Sequence, residues 1–304
     1  MSASTSSINL SSLSEYVEQR SDELLTKSIL GAKTLDVIDI MLDVKYTAPL
    51  NYLDSTIVFA SGETCGWDPS GSDVFTQRTI EVVPVKINKD WCARDMRKYW
   101  MNYQLLIDAQ RETLPFEEKL IDENIKAINV ELENEIWTND ASALFPGFLT
   151  VLADEADVIT DTADASEGAV AVIDTAYGAI TDSMYAHGDV TIFVEPTLYR
   201  NFIKESNAVC CANRDVLDAA SDSITYPGDS RVTIRPTAGL TGTDTVVVTW
   251  AKNLVFGTDV EGSENDYKVW YDDKDEMTHF KVLFNAGVQV KFPSEVAVID
   301  YSGQ

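Results

Sequence analysis

The stretch from Leu114 to Asp140 constrains this chain more than any other. Ile121, Ile125, Ile128, Leu132 and Ile136 recur at spacings of four, three, four and four, which is one face of an α-helix. Asp122, Glu123, Lys126, Glu131, Glu133 and Glu135 fall between them and fill the other faces. Pro115 suits the first helical turn, where its missing N–H would be unbonded anyway, and Glu117 and Glu118 complement the helix dipole at that end. Asn139 and Asp140 supply the stop. From Pro115 to Thr138 this makes about 24 residues, about 36 Å at 1.5 Å per residue. A helix about twice the usual length predicts a spine that one compact core does not cover end to end.

The charge around the spine is segregated. The chain of 304 residues carries 50 Asp and Glu against 23 Lys and Arg, a net charge of −27. This argues against nonspecific nucleic-acid binding, which needs Lys and Arg to displace counterions. From Ala127 to Tyr199 there is no Lys or Arg but there are 14 Asp and Glu. Lys86, Lys89, Arg94, Arg97 and Lys98 crowd together just ahead of the spine. Each run reads as a solvated face, and segregation on this scale also suits subunits that dock acidic surface on basic surface.

Apolar residues make up 45% of the chain and there are six Trp, ample for two modest domains or one elongated one. No run of 18 apolar residues occurs, and residues 1–7 have neither the basic nor the apolar part of a secretory signal. Folding in the cytoplasm of the producing cell is therefore expected. Cys65, Cys92, Cys210 and Cys211 lack CxxC spacing and only His187 and His279 could assist them, so a zinc site is not expected and the thiols read as buried or incidental. No phosphate-binding, dinucleotide, HExxH or GxSxG signature occurs, so no catalytic residue, cofactor or metal is expected. Acid pairs such as Asp154/Asp157, Asp161/Asp164 and Asp272/Asp273/Asp275 leave an acidic carbohydrate-active enzyme or binding module as a reading from a different class.

Along the chain, a helix ending before Gly31 is predicted from Leu13, Tyr16, Val17, Leu24 and Leu25, with Ser12 and Glu15 at capping-box spacing. Residues 35–44 alternate like a strand or an extended arm. Residues 51–60 and 74–87 read as the two arms of a long hairpin, and Pro84 marks an edge or a bulge in the second. An isolated ribbon is marginal in water, so something must cover it, and another subunit is a candidate. Trp67, at the hairpin tip between Gly66 and Asp68, is either a local lid or an anchor in a neighbouring subunit. Residues 90–110 look helical in part, with Cys92, Met96, Tyr99, Tyr103 and Leu106 on one face. One helix is predicted over 168–184, a buried strand at 190–194, and a short helix from Pro196. Strands are predicted at 231–235, 245–250, 254–256, 267–271, 280–284 and 288–292. His187 falls at a helix-to-strand turn and His279 between strands. The fold class is α+β, with helices first and strands late.

This order of parts resembles the major capsid proteins of tailed bacteriophages, the Hong Kong 97-type fold shared with encapsulin nanocompartments. The residues that carry the resemblance are Arg97-Lys98-Tyr99-Trp100 before the spine, Leu114-Pro115-Phe116-Glu117-Glu118 opening it and Glu135-Ile136-Trp137 closing it. Phe145-Pro146-Gly147-Phe148-Leu149 follows. The segments 253–259 and 284–290 are similar to the closing strands of capsid proteins from phages of gut Bacteroides-like hosts. The resemblance implies an N-terminal arm (1–45), an extended loop built as a long β-hairpin (46–90) and a peripheral domain (91–149) holding the spine helix 115–138. It further implies an axial domain (150–265) and C-terminal strands of the peripheral domain (266–304). The implied function is a self-assembling icosahedral shell of pentamers and hexamers around double-stranded DNA, with no reaction and no specific DNA contact. The implied partners are further copies of the chain, a separate scaffold protein or none, a portal and decoration proteins, with no membrane. Cys65, Trp67, Lys86, Lys89, Arg94, Arg97 and Lys98 are the candidate intersubunit residues. An encapsulin-like compartment that packages a cargo enzyme is the alternative within the fold. Some relatives crosslink through a lysine in the extended loop, and this chain has no Lys between Lys45 and Lys86.

Overall fold

A computed structural model describes residues 17, 20–59, 71–92, 95, 99, 116–138, 144–208, 223–259 and 266–302. Helix α1 (Ser21–Ile29) is followed by a 3-10 turn (Lys33–Asp36) and the short strand β1 (Asp39–Met41). Strands β2 (Thr47–Ile57), β3 (Gly71–Glu81) and β4 (Val83–Cys92) precede the spine helix α2 (Phe116–Thr138). Helix α3 (Phe148–Ala153), strand β5 (Ile159–Thr162), helices α4 (Ala169–Gly178) and α5 (Asp182–His187), strand β6 (Val190–Val194) and helix α6 (Pro196–Ala208) come next. The remainder is β7 (Ile224–Tyr226), β8 (Asp229–Pro236), β9 (Thr245–Trp250), β10 (Leu254–Thr258), β11 (Asp266–Asp272), β12 (Met277–Val290) and β13 (Val296–Asp300).

Two sheets are built around the spine. The six-stranded sheet has the order β5-β13-β9-β6-β8-β7. All five residues of β6 are buried, because both faces of this sheet are covered. Val190, Ile192, Val194, Val246 and Val248 pack under α4 and α6, while the intervening Phe193 and Val247 face the spine. Trp137, near the end of the spine, meets Phe193 at 5.1 Å and Phe148 at 5.4 Å between ring centroids. The second sheet is centred on the 14-residue β12. Residues 277–283 pair with β4 on one edge and β11 on the other, and Ala286 pairs with both Val83 and Thr258. Hence β10 and β11 lie in succession along the edge opposite β4, with β1 parallel to β10 beyond.

The apolar stripe of the spine is buried as its spacing predicts, with Ile121, Ile125, Ile128, Leu132 and Ile136 all in the main core. That core covers the stripe along its length, contrary to the expectation that a helix so long would outrun it. Glu133 is a second departure. It is buried instead of facing solvent, and its carboxylate accepts from the Thr34 N–H (3.0 Å) and the Thr34 hydroxyl. Thr34 Oγ1 in turn accepts from Trp137 Nε1 at 2.9 Å, which pins the 3-10 turn to the spine. Burial pushes the Glu133 pKa up, with the Thr34 hydrogen bonds opposing it. The strand expected over 35–44 shrinks to three residues because Thr34 and Leu35 are drawn into this turn.

Four other expectations are revised. The predicted second arm divides: β3 ends at Glu81, Val82 N–H donates to the Tyr46 carbonyl (2.8 Å), and β4 pairs with β12. Pro84 lies on β4, whose outer edge has no strand partner among the described residues, which suits its missing donor. The helix expected over 168–184 breaks after Gly178, and Thr181 caps a new one by accepting from Met184 N–H (3.3 Å). Segments 280–284 and 288–292, expected as two strands, belong to the single β12, which ends at Val290. Asp90, Trp91 and Cys92, expected at a helix start, are strand residues.

Candidate assembly surface

Strands β2 and β3 form a two-stranded ribbon of eleven rungs, from Thr47↔Glu81 at its root to Ile57↔Gly71. Only the root is embedded. Leu50, Ile80 and Val82 pack with Val44 and Val255 in a small core of their own. The ribbon crosses the β12 sheet here because Gly257 and Gly287 face each other in register. A Cβ on Gly287 would lie 2.0 Å from the Glu81 carbonyl oxygen, and one on Gly257 would lie 2.8 Å from Ile80 Cδ1. Glycine within a strand marks close approach of another backbone, and this pair is such a case.

Away from the root the ribbon presents large apolar side chains to water. Ile57 is 74% exposed, Phe59 94% and Phe75 80%. Exposed apolar residues scattered singly are ordinary, but three on one projecting element form an unburied surface. Sequence reasoning identified the ribbon and expected it to be covered, but did not single out these residues as the apolar side chains left exposed.

Of the candidate intersubunit residues, Lys86 and Lys89 are both exposed on β4. Lys89 Nζ donates to Asn124 Oδ1 on the spine (2.9 Å) and lies 5.9 Å from the Trp91 ring centre. Lys86 Nζ lies 3.1 Å from the Asn88 side-chain carbonyl in the amide orientation that satisfies both ends. Cys65, Trp67, Arg94, Arg97 and Lys98 lie outside the described residues. The acidic region divides. Asp154, Asp157, Asp161, Asp164 and Glu167 are exposed, whereas Glu133 and Glu195 are buried and Glu155 pairs with Arg78 on the ribbon.

Both histidines are held by carboxylates. His187 ends α5 as expected, with Nε2 3.1 Å from Glu295 Oε1 and its ring stacked on Trp250 at 5.1 Å. His279 lies within β12 and not between strands, with Nδ1 2.6 Å from Asp90 Oδ1. Asp272 and Asp275 approach His279 within 4.8 Å at the end of the β11–β12 hairpin, a partly exposed group of ordinary surface acids. No helix among the described residues is long and apolar enough to cross a membrane.

No family model matches this chain and no curated protein matches it. Solved structures do match. The satellite phage P4 procapsid, a structure that includes its size determination protein, aligns over 93% of this chain and 92% of that chain at 12% identity, TM-score 0.63. The virus-like particle from Pyrococcus furiosus aligns over 94% of this chain and 100% of that chain at 10% identity, TM-score 0.57. The capsid of an empty GTA particle aligns over 91% and 90% at 13% identity, TM-score 0.56. The chain has the mixed α+β fold of phage capsid proteins. At such identities the likeness is one of fold, extending over nearly the whole of both chains.

Proposed function

We propose that this chain is the major capsid protein of a tailed bacteriophage, of Hong Kong 97 type. In this reading pentamers and hexamers of it close into the icosahedral head shell around double-stranded DNA. The observation that carries the reading is the ribbon: an element with Ile57, Phe59 and Phe75 in water is built to be covered by something else. A fold shared end to end with capsid proteins supports further copies of the chain as the cover. The protein acts by self-association and catalyses nothing, and it resides in the virion after assembly in the host cytoplasm. A separate scaffold, a portal and decoration proteins complete its partners.

The main core around the spine and β12 corresponds to a peripheral domain, and the six-stranded sheet with α4 and α6 to an axial domain. The ribbon is the extended loop that overlies a neighbour. Its tip would place Trp67 and Cys65 on that neighbour, and Lys86 and Lys89 on β4, with Arg94, Arg97 and Lys98 next in sequence, would face acidic surface such as Asp157 and Asp161. Exposed ion pairs contribute ~0–1 kcal/mol each, but the contact recurs around every capsomer.

Electron microscopy of the purified protein, alone and co-expressed with a scaffold, tests the reading. Closed shells containing nucleic acid are expected from infected cells, and Arg94→Glu with Arg97→Glu should reduce assembly without unfolding the subunit. A chain that stays monomeric with its scaffold present refutes the reading. The fold likeness to the Pyrococcus furiosus particle favours a second reading, an encapsulin-like compartment, which shells filled with a protein cargo would establish.

A further inference from the structure

We infer that Arg78 is a positioning residue for assembly, setting the angle at which the ribbon leaves the body. This rests on the reading of the ribbon as the arm that covers a neighbouring copy.

Besides the small apolar core at Leu50, Ile80 and Val82, two features fix the root of the ribbon, and they do different things. The Gly257–Gly287 pair lets Ile80 and Glu81 cross the sheet at van der Waals distance, which determines where the ribbon crosses. A single crossing point leaves the direction of departure free. Arg78, paired with Leu50 in the ribbon, reaches off it to two separate elements. Its Nη2 donates to the Glu155 carboxylate, just past α3, and to Gln289 Oε1 on β12 at 3.4 Å. Gln289 Nε2 donates back to the Thr79 carbonyl at 3.1 Å. One pivot and two tethers on different elements define a direction. The ion pair is part-buried, with side chains 19% and 29% exposed, so water screens it less than a surface pair. A planar guanidinium suits this role because its fork holds geometry as well as charge. Its Nε is buried with no hydrogen-bond partner among the described residues. The side chain is thus placed to reach its two tethers and not to satisfy itself.

The direction matters because the ribbon is a lever. From Asn51↔Gln77 to Ile57↔Gly71 seven rungs stand beyond Arg78, about 24 Å at about 3.4 Å per residue. Asn51, Ser72, Asp73, Phe75 and Gln77 are all exposed, so these rungs project from the body. A tilt of about 10° at the root moves the far end by about 4 Å, more than the pitch of one residue along a strand. Apolar side chains aimed at a neighbour would then miss their sites.

The test places spin labels at Ser72→Cys on the ribbon and Thr160→Cys on β5, with Cys65, Cys92, Cys210 and Cys211 replaced by serine, while particle diameters are read on unlabelled chains that keep their own cysteines. Label–label distances, subunit melting and particle diameters are measured for the parent chain, Arg78→Ala, Glu155→Gln and the exchange Arg78→Glu with Glu155→Arg. Arg78→Ala and Glu155→Gln should broaden the distances by several ångström, the ~4 Å of a ~10° tilt, with melting unchanged. Their particles should be mixed in diameter or fail to close, and the exchange should narrow both distributions again. Unchanged distances in both variants overturn the inference. So does a drop in melting temperature with unbroadened distances, which would make the clasp only a stabilising contact. The distances are read on the unassembled chain, so if the parent forms no particle the shell reading fails while the clasp is still judged.

Discussion

The spine and the ribbon resolve the same difficulty in opposite ways. Each is longer than an isolated element can be and still hide its apolar side chains. The apolar stripe of the 23-residue spine is buried from Ile121 to Trp137 by its own chain, with two sheets and the 3-10 turn closing over it. The ribbon is embedded only at Leu50, Ile80 and Val82, and its outer part carries Phe75 bare. Length alone therefore did not separate an element that completes the subunit from one that awaits a partner. What separates them is whether the apolar positions have somewhere to go within the chain. The spine belongs to the stability of the subunit, and in the proposed reading the ribbon belongs to the stability of the assembly.

The largest effect expected from this contrast follows truncation of Trp137. It is fully buried against Phe148 and Phe193 and holds the Thr34 hydroxyl, so Trp137→Ala should cost about 3–5 kcal/mol in denaturant unfolding of the subunit. Phe75→Ser on the ribbon should change subunit stability by no more than about 0.5 kcal/mol, because a side chain 80% exposed loses little on truncation. The same substitution should lower the yield of closed particles. Comparable losses of subunit stability in the two variants would break the contrast.

The glycine crossing sharpens it. A methyl group on Gly287 meets a backbone atom, the Glu81 carbonyl oxygen at 2.0 Å, which cannot move without moving the ribbon. A methyl group on Gly257 meets the end of the Ile80 side chain at 2.8 Å, which can rotate aside. Gly287→Ala should therefore cost about 1–3 kcal/mol and displace the ribbon, and Gly257→Ala less. Equal costs, read from paired denaturation curves, would show that the crossing is looser than its geometry.

How much of this was legible beforehand depends on where the information lay. The spine stripe, β9 and the hairpin were readable because period and β-branched runs are local properties. Gly287 fell in the gap between two expected strands, and that it lies within one strand with another backbone against it is a long-range fact. Nothing in the sequence around Glu133 distinguishes it from Glu131 or Glu135. It is buried because Thr34, 99 positions away, offers two donors to it. The division of 74–87 into two strands was hidden because both halves are equally rich in β-formers, and only the pairing of β4 with β12 separates them. Of the candidate surface, the lysines of β4 were named from charge, whereas Arg78 looked like an ordinary ribbon residue until Glu155 was beside it.

The smallest expected effect concerns the acid that the spine buries. Glu133 has its pKa raised above the ordinary 4.5, mainly by desolvation, so the folded state holds its proton more tightly than the unfolded chain does. Its contribution is most favourable below pH 4.5, declines as pH rises through the raised folded value, and is level above that. Glu133→Gln removes the titration while keeping the size of the side chain. The amide supplies one acceptor where the carboxylate supplied two, and Thr34 Oγ1 already accepts from Trp137, so the variant has a fixed cost at every pH. The informative quantity is therefore the slope and not the level. The stability of Glu133→Gln relative to the parent should rise from pH 4.5 towards neutrality and then flatten, in urea unfolding followed by Trp fluorescence. A relative stability that is constant over this range would mean that the Thr34 hydrogen bonds cancel the burial. One that falls would mean that they exceed it, and the junction between spine and arm would then favour the ionised acid.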